Sequence, residues 1–263
     1  TTTRDTLSLH DALPISYAIR TKDFDWNISL NLAHNENEVT RLSNDVFTMD
    51  KILLGDVFIR GGSSSGTHVL EEGRPIGQFY GLVCNGIDEN GRYIMVDKDG
   101  DGEISDPADY DYIGSAQPKL TYGITNTFRY KNFDLSFFLR GTIGNDILNA
   151  TRMAYAQSGF LPGTNALDDP LTYTLSETPR FSNYYLEKGS FMRLDNLTLG
   201  YKIKALNGIR VYFTAQNLFV ITKYKGLDPE VPMDSGDGLT PGVEPREFYP
   251  KARTFSVGLN LNF

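Results

Sequence analysis

Apolar and polar side chains alternate with a period of two along several stretches of this chain, most clearly at its end. Phe255, Val257, Leu259, Leu261 and Phe263 alternate with Thr254, Ser256, Gly258, Asn260 and Asn262, so a strand here has one wholly apolar face and one polar or small face. Residues 120–130 (LTYGITNTFRY) and 133–141 (FDLSFFLRG) repeat the period, with Phe133, Leu135, Phe137 and Leu139 on one side. Only Lys131 and Asn132 separate these two runs, which predicts a tight hairpin. Residues 191–202 (FMRLDNLTLGYK) and 209–220 (IRVYFTAQNLFV) flank a short link at 205–208 and predict a second hairpin. Residues 24–32 (FDWNISLNL) follow the polar triplet Thr21, Lys22 and Asp23 in the same manner.

Between these runs lie long segments rich in Gly, Pro and Asp, at about 85–118, 145–189 and 222–251. Structureless loops of that length are uncommon inside compact soluble domains. Very short turns alternating with very long loops are the habit of a membrane β-barrel, whose strands set an apolar face against lipid and a polar face against a wet lumen. The expected fold class is therefore all-β, a partial antiparallel transmembrane β-barrel with long extracellular loops. If the final strand ends in the periplasm, parity places all three long segments outside the cell. The same alternation also suits half-buried strands of a soluble sandwich. No run approaches the roughly 18 apolar residues that a membrane-spanning helix requires, and no repeat of fixed period points to a propeller or solenoid.

Composition agrees with strands joined by turns, since 16 Phe and 15 Tyr accompany 25 Gly. A net charge of −8 without clustered Lys and Arg argues against nucleic acid as a partner. One cysteine, Cys84, excludes an internal disulfide and, with no second Cys and no His nearby, a zinc site; it reads as a small packing residue. Residues 1–16 (TTTRDTLSLHDALPIS) have neither a basic nor a long apolar region and are no signal peptide. Residues 5–15 look like the in-frame translation of a sequencing adapter, so residues 1–16 are expected to be an artefact, residues 17–263 to be native, and the true gene to continue upstream.

Several stretches in order resemble the SusC/RagA family of TonB-dependent outer-membrane transporters from Bacteroidetes. They are residues 72–81 (EGRPIGQFYG), 97–103 (DKDGDGE), 113–123 (IGSAQPKLTYG), 130–136 (YKNFDLS), 189–201 (GSFMRLDNLTLGY), 211–218 (VYFTAQNL) and 249–253 (YPKAR), completed by the terminal strand. Each is weak alone, and their order and spacing carry the resemblance. It implies a barrel of about 22 strands with an N-terminal plug, of which this C-terminal portion would hold the last nine or so and leave two unpaired edges. It further implies a non-enzymatic importer of oligosaccharides or peptides in a Gram-negative outer membrane, lidded by a SusD-like surface lipoprotein and driven by the TonB complex through the missing N-terminal part.

One motif suggests a metal. Asp97, Asp99 and Asp101, followed by Gly102, match the first half of an EF-hand-type calcium loop, which turns three carboxylates toward one centre. The backbone carbonyl of Glu103 would be the next ligand. Ala108 stands where that motif places a bidentate Glu, and Asp106 or Asp109 lies close enough to substitute. The expected site is thus a structural Ca2+ held by Asp97, Asp99, Asp101, Glu103 and Asp109, with a solvated acidic turn as the alternative. No catalytic constellation is present. His10 lies in the suspect leader, His34 and His68 read as surface residues, and residues 61–66 (GGSSSG) lack the Lys-Ser/Thr ending of a phosphate loop and read as a flexible connection. Tyr122, Tyr130, Tyr201, Tyr212 and Phe263 are candidates for interfacial girdles. Tyr155, Phe160, Tyr184 and Tyr185 are candidates to touch cargo or lid. Two rivals stay open: a soluble calcium-stabilised β-sandwich that binds carbohydrate, and a secreted β-rich glycosidase.

Overall fold

The computed structural model describes residues 15–44, 46–62, 66–204, 209–231, 238–246 and 249–261. Most of the suspect leader, the link at 205–208, the middle of GGSSSG, and Asn262 and Phe263 lie outside these residues. Along the chain come β1 (Ile15–Arg20), β2 (Phe24–Ala33), β3 (Lys51–Leu54), β4 (His68–Glu71), β5 (Gln78–Leu82), β6 (Cys84–Ile87), β7 (Tyr93–Met95), β8 (Tyr110–Ser115), β9 (Leu120–Tyr130), β10 (Phe133–Ile143) and β11 (Asp146–Leu148). The helices α1 (Ala150–Tyr155) and α2 (Pro170–Thr174) follow, then β12 (Leu186–Lys188), β13 (Phe191–Ile203), β14 (Ile209–Thr222) and β15 (Thr254–Asn260). No helix among the described residues is long and apolar enough to cross a membrane.

Seven strands form one antiparallel wall in the order β1-β2-β9-β10-β13-β14-β15. The expectation of about nine strands is corrected to seven among the described residues, because residues 34–119 leave the wall after β2 and fold elsewhere. The wall is open, with β1 and β15 each paired on one side alone. Register converts the alternation of single strands into faces of the whole wall. Trp26, Phe128, Leu135, Leu199, Phe213 and Val257 form one row across six strands, and Phe24, Tyr130, Phe133, Tyr201, Val211 and Leu259 form the next. On the opposite face Asn27, Thr127, Ser136, Thr198, Thr214 and Ser256 align. The apolar rows are not covered by a second sheet: Leu199 is 46% exposed on a central strand and Val257 is 76% exposed on the edge.

One irregularity preserves this segregation. In β13 the apolar positions change phase between Leu194 and Leu197, an odd spacing that would turn Leu194 and Met192 to the polar face. The register shifts there instead, pairing Leu194 with Leu139 and Asn196 with Phe138, so that Asp195 is left over as a bulge. Leu194 and Met192 return to the apolar face and Arg193 to the polar one.

The short turns gather at one end of the wall, where the Lys131 N–H donates to the Asp23 carbonyl and the Lys202 N–H to the Asn132 carbonyl. Lys131 takes the left-handed conformation that a two-residue hairpin requires (φ 54°). All three long segments leave from the other end, as parity predicted. Together with residues 34–84 they fold rather than forming structureless loops. β3, β4, β5 and β8 build a second sheet, β6 pairs with β7, and β11 pairs with β12. Phe79, Leu82, Tyr110, Leu148, Met153, Phe181 and Tyr185 close a shared core, and the third segment joins where the Leu148 N–H donates to the Gly242 carbonyl and the Glu244 N–H to the Leu148 carbonyl. The main apolar core of this chain thus lies in a lobe beyond the end of the wall. Gly91 shows how tightly the pieces fit: it sits at φ 78°, and a side chain there would strike the Thr174 carbonyl at the end of α2.

Candidate functional site

The polar face of the wall carries a cluster of six charges. Strand alternation delivers Arg140 on β10 and Arg193 on β13 to this face, and the bulge brings Asp195 within reach. The third long segment folds back over them. The Arg193 guanidinium pairs with Asp228 at 2.5 Å, both nearly inaccessible to solvent, and with Glu230 at 3.1 Å. Arg140 reaches Glu230 at 2.6 Å and Asp195 at 2.9 Å, and Lys251 reaches Glu230 at 2.7 Å. Three cations thus meet three carboxylates, which offsets the cost of removing these charges from water. The arrangement pins residues 228–230 to the polar face and narrows the space in front of it. Sequence reasoning missed this cluster. Its visible signal was an arginine at a polar-face position of each of two alternating strands; the partners lie 35 and 90 residues away.

The acidic loop between β7 and β8 is ordered by its own backbone. Asp97 accepts the N–H groups of Gly100 (2.6 Å) and Gly102 (2.9 Å), Asp99 accepts that of Asp101 (3.1 Å), and Asp101 accepts that of Glu103 (2.8 Å). Asp109 is buried and accepts from Ser105 at 2.8 Å and Lys98 at 2.7 Å, and these backbone donors hold its carboxyl below the usual carboxylate range. Oxygens of Asp97, Asp99 and Asp109 converge within 4.8 Å of one another. Asp101 and Glu103 are not in that convergent group, and Asp106 is tied to Arg180 at 2.6 Å.

Other expectations are sorted by burial and register. Cys84 is buried as a packing residue and donates to the Gly86 carbonyl. His68 is not a surface residue: it is fully buried, with one ring nitrogen 2.9 Å from the Thr67 hydroxyl and the other 2.9 Å from the Pro241 carbonyl. A neighbouring hydroxyl and a third-segment carbonyl satisfy the ring, which made burial possible. His34 stays half exposed. Tyr185 is fully buried, its hydroxyl 2.5 Å from that of Tyr93, so it cannot touch cargo; Tyr155 and Tyr184 are half-buried and Phe160 is exposed. Tyr130 and Tyr201 lie on the apolar face at the turn end, and Tyr122 on the same face at the lobe end. Tyr212 belongs to the polar face instead, opposite Gly200 and Gly258; the missing side chain of Gly258 makes room for its ring, and that of Gly200 for the Arg210–Asp134 pair.

No family model matches the chain. It is 36% identical over 264 residues to the TonB-dependent receptor SusC of Bacteroides thetaiotaomicron, a match covering 93% of this chain and 25% of that protein. It is 32% identical over 291 residues to the TonB-dependent receptor P3 of Formosa agariphila, covering 93% of this chain and 27% of the relative. Its fold superposes on the structure of the RagAB peptide transporter with a TM-score of 0.71 and 25% identity, covering 93% of this chain and 28% of that one. The chain therefore spans about a quarter of the length of the relatives it matches, which are receptors and a transporter rather than enzymes. An open seven-stranded wall that is apolar on one side and polar on the other, continued into a folded lobe, is in sequence and in fold a SusC/RagA-like part of a TonB-dependent receptor barrel.

Proposed function

We propose that this chain forms part of the wall and outer surface of an outer-membrane importer that takes up oligosaccharides or peptides with a SusD-like surface lipoprotein and is energised by the TonB complex. The observation that carries this reading is the uncovered apolar face. From the row of Phe24, Tyr130 and Tyr201 to the row of Leu32, Tyr122 and Met192 there are eight residues along β2 and β9. That is roughly 27 Å along a strand, or about 21 Å across the membrane at the usual barrel tilt, close to the ~25 Å apolar band of outer-membrane barrels. Phe24, Tyr130, Phe133 and Tyr201 mark the turn-end limit as an interfacial girdle does, and Tyr122 stands alone at the other. The lobe then stands outside the cell, where lid and cargo arrive, and the turns face the periplasm. Expressed within a chain of the relatives' full length in a Bacteroidetes host, the protein is expected to fractionate with outer membranes and resist extraction by salt. Recovery as a soluble monomer ends this reading in favour of a sandwich.

Within the lobe, Asp97, Asp99 and Asp109 favour a second, structural role: a Ca2+ ion bound among them, with Asp101 and Glu103 as further oxygen donors, would hold the β7–β8 loop in shape. Converging carboxylates repel one another unless a cation lies between them, and calcium prefers six to eight oxygens. Chelation is expected to lower the melting temperature of the full-length receptor, and Asp99→Ala to abolish that shift. A parent protein indifferent to chelator removes the ion.

A further inference from the structure

A second cluster on the lobe joins the chain between β3 and β4 to the second and third long segments. Arg60 is ringed by aromatics, its guanidinium carbon 5.2 Å from the ring centres of Tyr155 and Phe160 and 6.0 Å from that of Phe58. Arg246, from the third segment, lies over the same Phe58 ring at 4.0 Å. The rings remain open to solvent, with Phe58 45% and Phe160 38% exposed. What separates these two arginines from Arg140, Arg152, Arg180 and Arg193 is the lack of a carboxylate. Each of those four is ion-paired, whereas among the described residues Arg60 and Arg246 are held by aromatic faces alone, and the Arg60 Nε is buried with no acceptor. A guanidinium stacked on a ring keeps its N–H donors at its edge. Two such groups side by side at Phe58, neither ion-paired among the described residues, leave N–H donors open to an anion.

We infer that Phe58, Arg60, Tyr155, Phe160 and Arg246 form a cargo subsite on the lobe for a carboxylate-bearing saccharide, with the guanidinium edges taking the carboxylate and the exposed rings taking the apolar C–H face of the sugar. The guanidinium fork matches a carboxylate in a bidentate, charge-assisted fashion. Open aromatic faces call for a rigid ring beside that carboxylate, which a uronic acid residue supplies and an acidic peptide side chain does not. This assignment rests on the importer reading and narrows its cargo.

The test is calorimetric titration of the purified full-length receptor with oligogalacturonate and oligomannuronate, the same oligosaccharides after carboxyl reduction, and a glutamate oligopeptide of equal charge. At least one acidic oligosaccharide is expected to bind, its reduced form to bind much more weakly, and R60Q/R246Q to lose about tenfold or more in affinity, with R60K/R246K recovering part of it. No binding of either acidic oligosaccharide, unchanged affinity in R60Q/R246Q, or a preference for the peptide overturns the subsite. Membrane fractionation of the same preparations reads the importer proposal separately: a receptor seated in the outer membrane whose sugar binding ignores the two arginines sinks the subsite alone.

Discussion

Asn126 is the polar exception on the apolar face, in a row with Ile28, Phe137, Leu197, Ala215 and Phe255. On a face turned to lipid an amide would have no water to turn to, and here its oxygen accepts the Trp26 indole N–H at 3.1 Å. The same indole stacks on Phe128, with ring centres 5.4 Å apart and planes 15° from parallel. Trp26→Phe keeps the stack and deletes the donor. It is expected to cost about 0.5–2 kcal/mol, the range for polar pairs within membranes, while Trp26→Phe with Asn126→Leu recovers most of the loss because neither polar group is then left alone. Denaturant unfolding of the full-length receptor in detergent micelles or bilayers reads both. A single variant as stable as its parent would mean the amide has another partner. At this scale the sequence was a partial guide. The alternation turned Tyr130 and Tyr201 to the apolar face and Tyr212, in phase with Arg210 and Thr214, to the polar one, where the missing side chain of Gly258 on β15 leaves room for its ring. It could not bury His68, whose acceptor Pro241 lies 173 residues away.

Among elements, the wall was legible and the lobe was not, for one physical reason. A strand between lipid and water must alternate along its own length, so β9, β10, β13, β14 and β15 announce themselves within ten or so residues. The strands β3 to β8 are three to six residues long, and several are covered by distant segments, so no local period marks them and Gly, Pro and Asp dominate the reading. The third long segment illustrates the limit. Its anchor is Asp228, fixed by Arg193 on β13, and nothing within residues 222–251 reveals that the segment turns inward. Asp228→Asn keeps the size of the side chain and leaves Arg193 with Glu230 alone. Breaking a buried pair from one side costs about 3–5 kcal/mol, and the remaining Glu230 contact brings the expected loss to the lower end. Limited proteolysis of the folded receptor should then cut the third segment faster, and Arg193→Gln combined with Asp228→Asn should cost less than the sum of the single changes. Unaltered cleavage in Asp228→Asn would mean that the segment is held elsewhere.

For the whole molecule, two surfaces of opposite character must be explained together. A soluble protein of this size hides its largest apolar area, yet here the lobe closes its own core while no second sheet covers the apolar face of the wall, and Leu199, Phe213 and Val257 on it are exposed. Either lipid covers that face or another protein layer does, and one pair of neighbouring residues separates the cases. Leu197 lies in the middle apolar row of β13, and Thr198 beside it points to the polar face. If the apolar rows meet lipid, Leu197→Arg places a charge near the bilayer midplane and costs about 2–4 kcal/mol, whereas Thr198→Arg adds a charge to a wet lumen and costs little. Folding yield in the outer membrane, read by heat-modifiable mobility in gel electrophoresis, should therefore fall sharply for the first and stay near the parent for the second. Ionic strength should not rescue Leu197→Arg, because the penalty is desolvation and not repulsion between surface charges. Equal tolerance of both substitutions would mean that neither face of β13 meets hydrocarbon, and the wall would then have to be half of a water-filled assembly.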